Sequence, residues 1–302
     1  MTDLSDEKTR RALERAAAAN ALKRYEDGLR EAQAALQLDP SLEDGYGYAA
    51  QAQLGLKQPA RALELARNGL GHHPESEWLN RAASLAARTL GFNTEALSFA
   101  DEAVRLSPGH SLGHEVRADA LAALLRRTEA RAAYEKAIEL APENASHYAD
   151  LGSFLLDFDP AAALVVLRKS LELDPTSART HNNLGVALLK LKRAGEAALA
   201  FKTAVRLDPT LKVAKENVHV SVTGLLGKRV LWTGGLFSLL ALVRILALAR
   251  EALVLVLPIL AFALVSYLLL KRWNNARLRR KLDPELLRLY EQIDADLKAK
   301  RL

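Results

Sequence analysis

Six prolines set the period of this chain. Pro40, Pro74, Pro108, Pro142, Pro175 and Pro209 follow one another at spacings of 34, 34, 34, 33 and 34 residues. Each closes an apolar run: LQLDP, LGHHP, VRLSP, IELAP, LELDP and VRLDP. Proline cannot continue a helix, because it lacks the amide hydrogen and its ring clashes with the turn before it. Its fixed φ also pre-sets the turn that follows. Between the prolines, apolar residues recur three and four apart. Each period therefore predicts two amphipathic helices and a stop.

Ala178–Leu211 shows the unit most completely, as ARTHNNLGVALLKLKRAGEAALAFKTAVRLDPTL. His181, Leu184, Gly185 and Leu188 stripe the first helix; Ala197, Phe201 and Ala204 stripe the second. Gly185 and Ala197 let the helices approach, and Leu184 and Phe201 fill the space around that contact. Placing each proline at position 32 starts six repeats near Thr9, Glu43, Glu77, Ser111, Ala145 and Ala178. The bulky position of the second helix is then Ala32, Ala66, Ala100, Tyr134, Leu167 and Phe201. The fifth repeat lacks one residue in its inter-helix turn, near Asp157 to Pro160.

This pattern resembles the tetratricopeptide repeat, a 34-residue helix–turn–helix with Leu-Gly in its first helix, small and aromatic positions in its second and a terminal proline. At the family's Leu-Gly position only the fifth and sixth repeats keep the pair, as Leu151-Gly152 and Leu184-Gly185, and the first three repeats use Ala at the bulky position. The resemblance implies an all-α solenoid of six repeats, about twelve helices in a right-handed superhelix. Single repeats cannot bury their apolar faces; stacked neighbours share one core. Residues 1–8 read as a tail and 9–211 as the repeats. Residues 212–227 read as a capping helix and hinge: Ala214, Val218 and Val222 recur every four residues, and Gly224 to Lys228 is the hinge.

Composition then changes. Val230 to Ala249 and Ala252 to Leu270 are apolar enough, and at about 1.5 Å per residue long enough, to cross a hydrocarbon core. We read residues 228–272 as a transmembrane hairpin. Lys228 and Arg229 precede it, and Lys271 and Arg272 follow it. These cations put both outer ends on the cytoplasmic side, with the repeats and the C-terminus in the cytoplasm of a bacterial inner membrane. Arg244 lies close enough to the interface to snorkel, and Gly234 and Ser238 are spaced for close helix contact within the hairpin or between copies of a homo-oligomer. Residues 273–302 form a basic juxtamembrane segment and an amphipathic helix striped by Leu286, Leu289, Tyr290, Ile293 and Leu297. That stripe needs a partner: bilayer, solenoid or another protein.

Charge follows the same division. Residues 1–211 carry 26 Lys and Arg against 29 Asp and Glu, and the remainder 16 against 7. The basic balance thus belongs to the membrane-proximal end, where anionic headgroups explain it better than nucleic acid does. With no cysteine in the chain, disulfides and thiolate metal sites are excluded. His114 and His181 occupy first-helix positions where packing explains them, and no third ligand joins His110 and His114, so no metal is expected. GLLGK lacks the spacing and the Ser/Thr of a phosphate loop. No nucleophile elbow or triad is present, so neither an enzyme nor a cofactor is expected.

Function is expected on the concave face, which the resemblance assigns to first-helix positions 2, 5, 9 and 12. These include Trp78, Arg81, Arg88, Glu115, Asp119, Arg179 and Asn182, beside Arg10, Asn20, Asp44 and Gln51. A polar groove with Trp78 as aromatic anchor suits a peptide or protein partner. The carboxylate clamp of some family members needs Lys and Asn where Leu13 and Ala17 stand, which disfavours that mode in the first repeat. The expected function is a membrane-anchored scaffold recruiting a partner. The alternative is a structural subunit of a larger envelope complex, for secretion, transport or division, assembled through the hairpin and tail helix.

Overall fold

The structure, a computed structural model, describes residues 2–227 and 282–299 together with the isolated positions 265, 266, 268, 269, 276, 279 and 280. The described residues form fourteen helices and fall into two compact units, Met1–Leu151 and Gly152–Leu302. The first unit holds α1 (Thr2–Ala21), α2 (Tyr25–Leu38), α3 (Glu43–Gly55), α4 (Pro59–His72), α5 (Glu77–Thr89), α6 (Asn93–Leu106), α7 (Ser111–Ala123) and α8 (Arg127–Leu140). The unit boundary falls within α9 (Ala145–Leu155). The second unit continues with α10 (Pro160–Leu173), α11 (Ala178–Lys190), α12 (Ala194–Leu207), α13 (Lys212–Gly227) and α14 (Pro284–Ala299).

Helix α1 begins at Thr2 rather than Thr9. No proline or glycine stands between Thr2 and Ala21 to stop it, so the expected tail is helix. Likewise α13 runs through Gly224 to Gly227, and the expected hinge is helical up to that point.

Five of the six turns inside the repeats close in one way. Lys23, Lys57, Gly91, Leu125 and Lys192 have φ of 58, 59, 83, 61 and 62°. The next amide donates five residues back: Arg24 to Ala19, Gln58 to Gln53, Phe92 to Ala87, Arg126 to Leu121 and Arg193 to Leu188, at 2.8–2.9 Å. This is the left-handed helix stop that satisfies otherwise orphaned carbonyls. The fifth repeat, one residue shorter, closes without it. There α9 ends at Leu155, and the Asp159 carboxylate accepts from the Ala162 amide at 3.0 Å to start α10.

The turns between repeats use the residue before the proline. Asp39, Asp174 and Asp208 each accept from the amide and hydroxyl of the Ser or Thr two residues on, at 2.6–2.9 Å. The closing proline's carbonyl is also used. Tyr46 Oη–H donates to Pro40 (3.1 Å), and the Nε2 atoms of His114 and His181 lie 2.9 and 3.0 Å from the carbonyls of Pro108 and Pro175. A carbonyl only accepts, so those nitrogens carry the proton. Both histidines serve the turn.

The cores are built by matching sizes. In the first unit Ala16, Ala32 and Ala49 form a fully buried cluster, and Ala66 and Ala100 are equally buried. At the bulky position of the first repeat, Ala32 is therefore packed with alanine, Ala16 and Ala49, from the neighbouring helices. In the second unit the trade is reversed. A Cβ on Gly152 would lie 2.5 Å from Leu167, and one on Gly185 2.5 Å from the Phe201 ring. Large side chains here occupy the space that glycine leaves.

Helix α14 packs on α12 and α13. Its Leu286 and Ile293 are buried, and Tyr290 stacks on His219 with ring centroids 5.3 Å apart. Lys202 of α12 donates to Asp283 at 2.8 Å and pairs with Glu285 at 2.7 Å, while His219 meets Asp294 at 3.1 Å. The stripe on the tail helix thus has its partner in the last repeat and the capping helix. Among the described residues no helix is long and apolar enough to cross a membrane. The hairpin read at 228–272, with Lys228, Arg229, Lys271 and Arg272, lies outside the described residues apart from isolated positions.

Candidate partner-binding face

In the first unit the face is carried by α3, α5 and α7. Trp78 is half-buried; its indole lies over Gly47, where a Cβ would come within 2.5 Å of the ring. It also meets Tyr48 edge-to-face, with centroids 5.0 Å apart. Trp78 thus holds α5 against α3, and only part of its surface is left for a ligand.

The charged residues of this face are engaged with one another. Arg81 donates to Glu77 at 2.6 Å, and the same carboxylate oxygen lies 3.0 Å from His110. Arg88 pairs with Asp119 at 3.3 Å, and Tyr134 of α8 donates to Asp119 at 2.5 Å. Burial, and then the negative charge of Asp119, push the Tyr134 phenol above its ordinary range.

Glu115 reaches α9. Its carboxylate accepts from Nδ1–H of His147, 2.5 Å away, and that imidazole is fully buried. Asn144 Oδ1 accepts the Ser146 amide at 3.0 Å, which fixes its amide so that Nδ2 donates to His147 Nε2 at 3.1 Å. A nitrogen that accepts carries no proton, so this arrangement places the imidazole proton on Nδ1. Sequence reasoning missed His147. It lies outside positions 2, 5, 9 and 12, and the signal was its place in the register, one residue after Ser146.

In the second unit Asn182 is buried and accepts from Asn217 of α13 at 2.9 Å. It ties α11 to the next first helix. Arg179 is exposed on the same helix. The seven expected residues thus divide between two units, and five of them belong to the first.

Residues 178–211 and 116–144 each match a tetratricopeptide repeat model. These two stretches of the chain are similar to the tetratricopeptide repeat. A curated relative, the Hsp70-Hsp90 organizing protein of Triticum aestivum, is 33% identical over 118 residues, which is 39% of this chain and 20% of that protein. The chain therefore spans about a fifth of that relative's length. Among solved structures, the APC/C hetero-tetramer Cut9-Hcn1 aligns with a TM-score of 0.64 at 16% identity, covering 73% of this chain and 44% of that one. A thermophilic tetratricopeptide repeat protein of Thermus thermophilus aligns with a TM-score of 0.57 at 24% identity, covering 60% and 99%. These likenesses show an all-helical tetratricopeptide solenoid. Such repeats mediate protein–protein interaction.

Proposed function

We propose that this chain is a membrane-anchored scaffold whose tetratricopeptide repeats hold a protein or peptide partner beside the bilayer, without catalysis of its own. One observation carries the anchored reading. Helix α13 precedes the apolar stretch 230–270, α14 follows it, and α14 is packed on α12 and α13. Both flanks of that stretch are therefore held on one unit. A segment that leaves and returns to the same side crosses a bilayer an even number of times, in keeping with the cationic flanks Lys228, Arg229, Lys271 and Arg272. Anchoring raises the effective concentration of any partner held nearby.

The internal pairing of Arg81, Arg88, Glu115 and Asp119 favours the second reading, a structural subunit of a larger envelope complex. A face whose charges are already spent offers fewer anchors to a peptide. The test is alkaline carbonate extraction of membranes carrying the full chain, followed by affinity capture from mild detergent. A chain left in the pellet, with its partner lost on Gln51→Glu, a change at an exposed position of the expected binding face, supports the scaffold. A chain left in the pellet whose partners ignore that change supports the complex subunit. Release by carbonate sinks the anchor in both.

A further inference from the structure

The left-handed turns of the first unit present an edge that its folding does not explain. Leu22, Phe92 and Leu125 are 70, 52 and 76% exposed, and each stands in the turn between the two helices of its repeat. Leu125 also adopts φ of 61°. A left-handed residue other than glycine is disfavoured, because its Cβ crowds the following carbonyl oxygen, and a leucine in solvent gains nothing by burial. Neither backbone nor core calls for leucine there.

The turns lie side by side. Tyr25, after the first, packs against Gly55, where a Cβ would lie 2.5 Å from its ring. Leu90 and Phe92 of the third turn line a cleft of ≈ 270 Å³ with Ala60 and Leu63 beyond the second. Asn93 donates across to the Ala123 carbonyl beside the fourth at 3.3 Å. Exposed cations accompany the apolar tips: Lys23, Arg24, Lys57, Arg126 and Arg127. Of the acids that open the following helices, Asp27 and Glu129 are taken by Arg24 and Arg126, at 2.5 and 2.6 Å, and Glu95 by Arg67, while Glu26 stands exposed beside Lys23 and Arg24. The turns at the other end of the same helices carry the acidic Asp39, Asp44, Glu75 and Glu143 instead.

We propose that this edge of the first unit rests on an anionic lipid surface, with Leu22, Phe92 and Leu125 dipping among the headgroups and Lys23 and Lys57 pairing with lipid phosphate. Two things favour lipid over protein. The apolar tips are separated by helix pairs, at roughly 10 Å per packed helix, and so make no contiguous patch of the kind a protein interface buries. Cations interleaved with apolar tips suit the interfacial layer, where each is drawn to the negative potential of anionic lipid.

The absence of cysteine makes the test clean. Single cysteines replace exposed Ala21, Gln58 or Ala123 on this edge, and Glu75 or Glu143 on the other, each bearing an environment-sensitive dye on the full chain. The expected result is a blue shift at positions 21, 58 and 123 with phosphatidylglycerol-containing vesicles. The shift should be reversed by salt, absent with pure phosphatidylcholine, absent at the two control positions, and at least halved by Leu22→Ser with Leu125→Ser. No shift with either lipid, or one indifferent to the serine pair, overturns the idea. So does a shift produced only by added protein. Carbonate extraction reads the anchor separately, so a chain that is extracted yet shifts on anionic vesicles loses the hairpin and keeps this edge.

Discussion

The ring of Phe201 lies where a methyl group on Gly185 would have to go, with its Cε1 2.5 Å from that site. Phe201 is itself completely buried, so the ring has nowhere to retreat. Gly185→Ala should destabilise the second unit by about 1–3 kcal/mol, the usual range for overpacking. Gly185→Ala combined with Phe201→Leu should recover a large part of that loss. Urea denaturation of the four variants measures the coupling; strict additivity would show that the two residues do not share the space.

The left-handed turns make an unusual stabilisation available. Lys57→Gly and Lys192→Gly, at φ of 59 and 62°, should each raise stability by up to about 1 kcal/mol, the strain relieved less glycine's extra chain entropy. Gly91→Ala, at φ 83°, should lower it by about 1 kcal/mol. Thermal melts with matched denaturation curves read both signs at once.

Tyr134 gives the fold an alkaline limit. Its folded pKa is raised, by burial first and then by Asp119, above an unfolded value of about 10. Its contribution is therefore complete below about pH 10 and is lost as pH rises above it. Tyr134→Phe should lose about 1 kcal/mol at neutral pH, the worth of the hydrogen bond to Asp119. The deficit should shrink above about pH 10. Stability measured from pH 7 to 11 would contradict this if the deficit stayed constant.

Helix α14 should come loose in acid. The Lys202 hydrogen bond holds Asp283 and Glu285 below the ordinary carboxylate range, Asp283 helped by the Leu286 amide. Groups depressed in this way stabilise above their unfolded pKa, about 4, and stop doing so as pH falls through the folded value. Lys202→Glu should mimic that loss at neutral pH, raising hydrogen exchange in α14 at least several-fold while α11 is unchanged. Exchange in α14 that ignores the substitution would assign its docking to Leu286, Ile293 and the contacts of His219 with Tyr290 and Asp294 instead.

The helices were legible because their stops are chemical. Each closing proline forbids continuation, and Gly185 opposite Phe201 states a size match in two letters. The turn conformation was less so, since only Gly91 announces a positive φ, while Lys23, Lys57, Leu125 and Lys192 reach it under the pull of the same hydrogen bond. The concave residues were nameable by position, but their pairing was not. Arg88 with Asp119, and Glu115 with His147, depend on which neighbours face each other across a repeat, a matter of three-dimensional register. Docking of α14 joins Lys202 to a residue 81 positions away, and its stripe showed only that some surface must cover it.

That helix has a further consequence. A stack of identical units has a cohesive end, onto which the next unit, or a second copy of the same chain, can add without closure. In the second unit, α14 sits on α12 and α13, where the next repeat would dock, and it carries acidic Asp283, Glu285 and Asp294 into that contact. It acts as a chain terminator for the array, so that growth by end-to-end addition at α13 first has to peel α14 away.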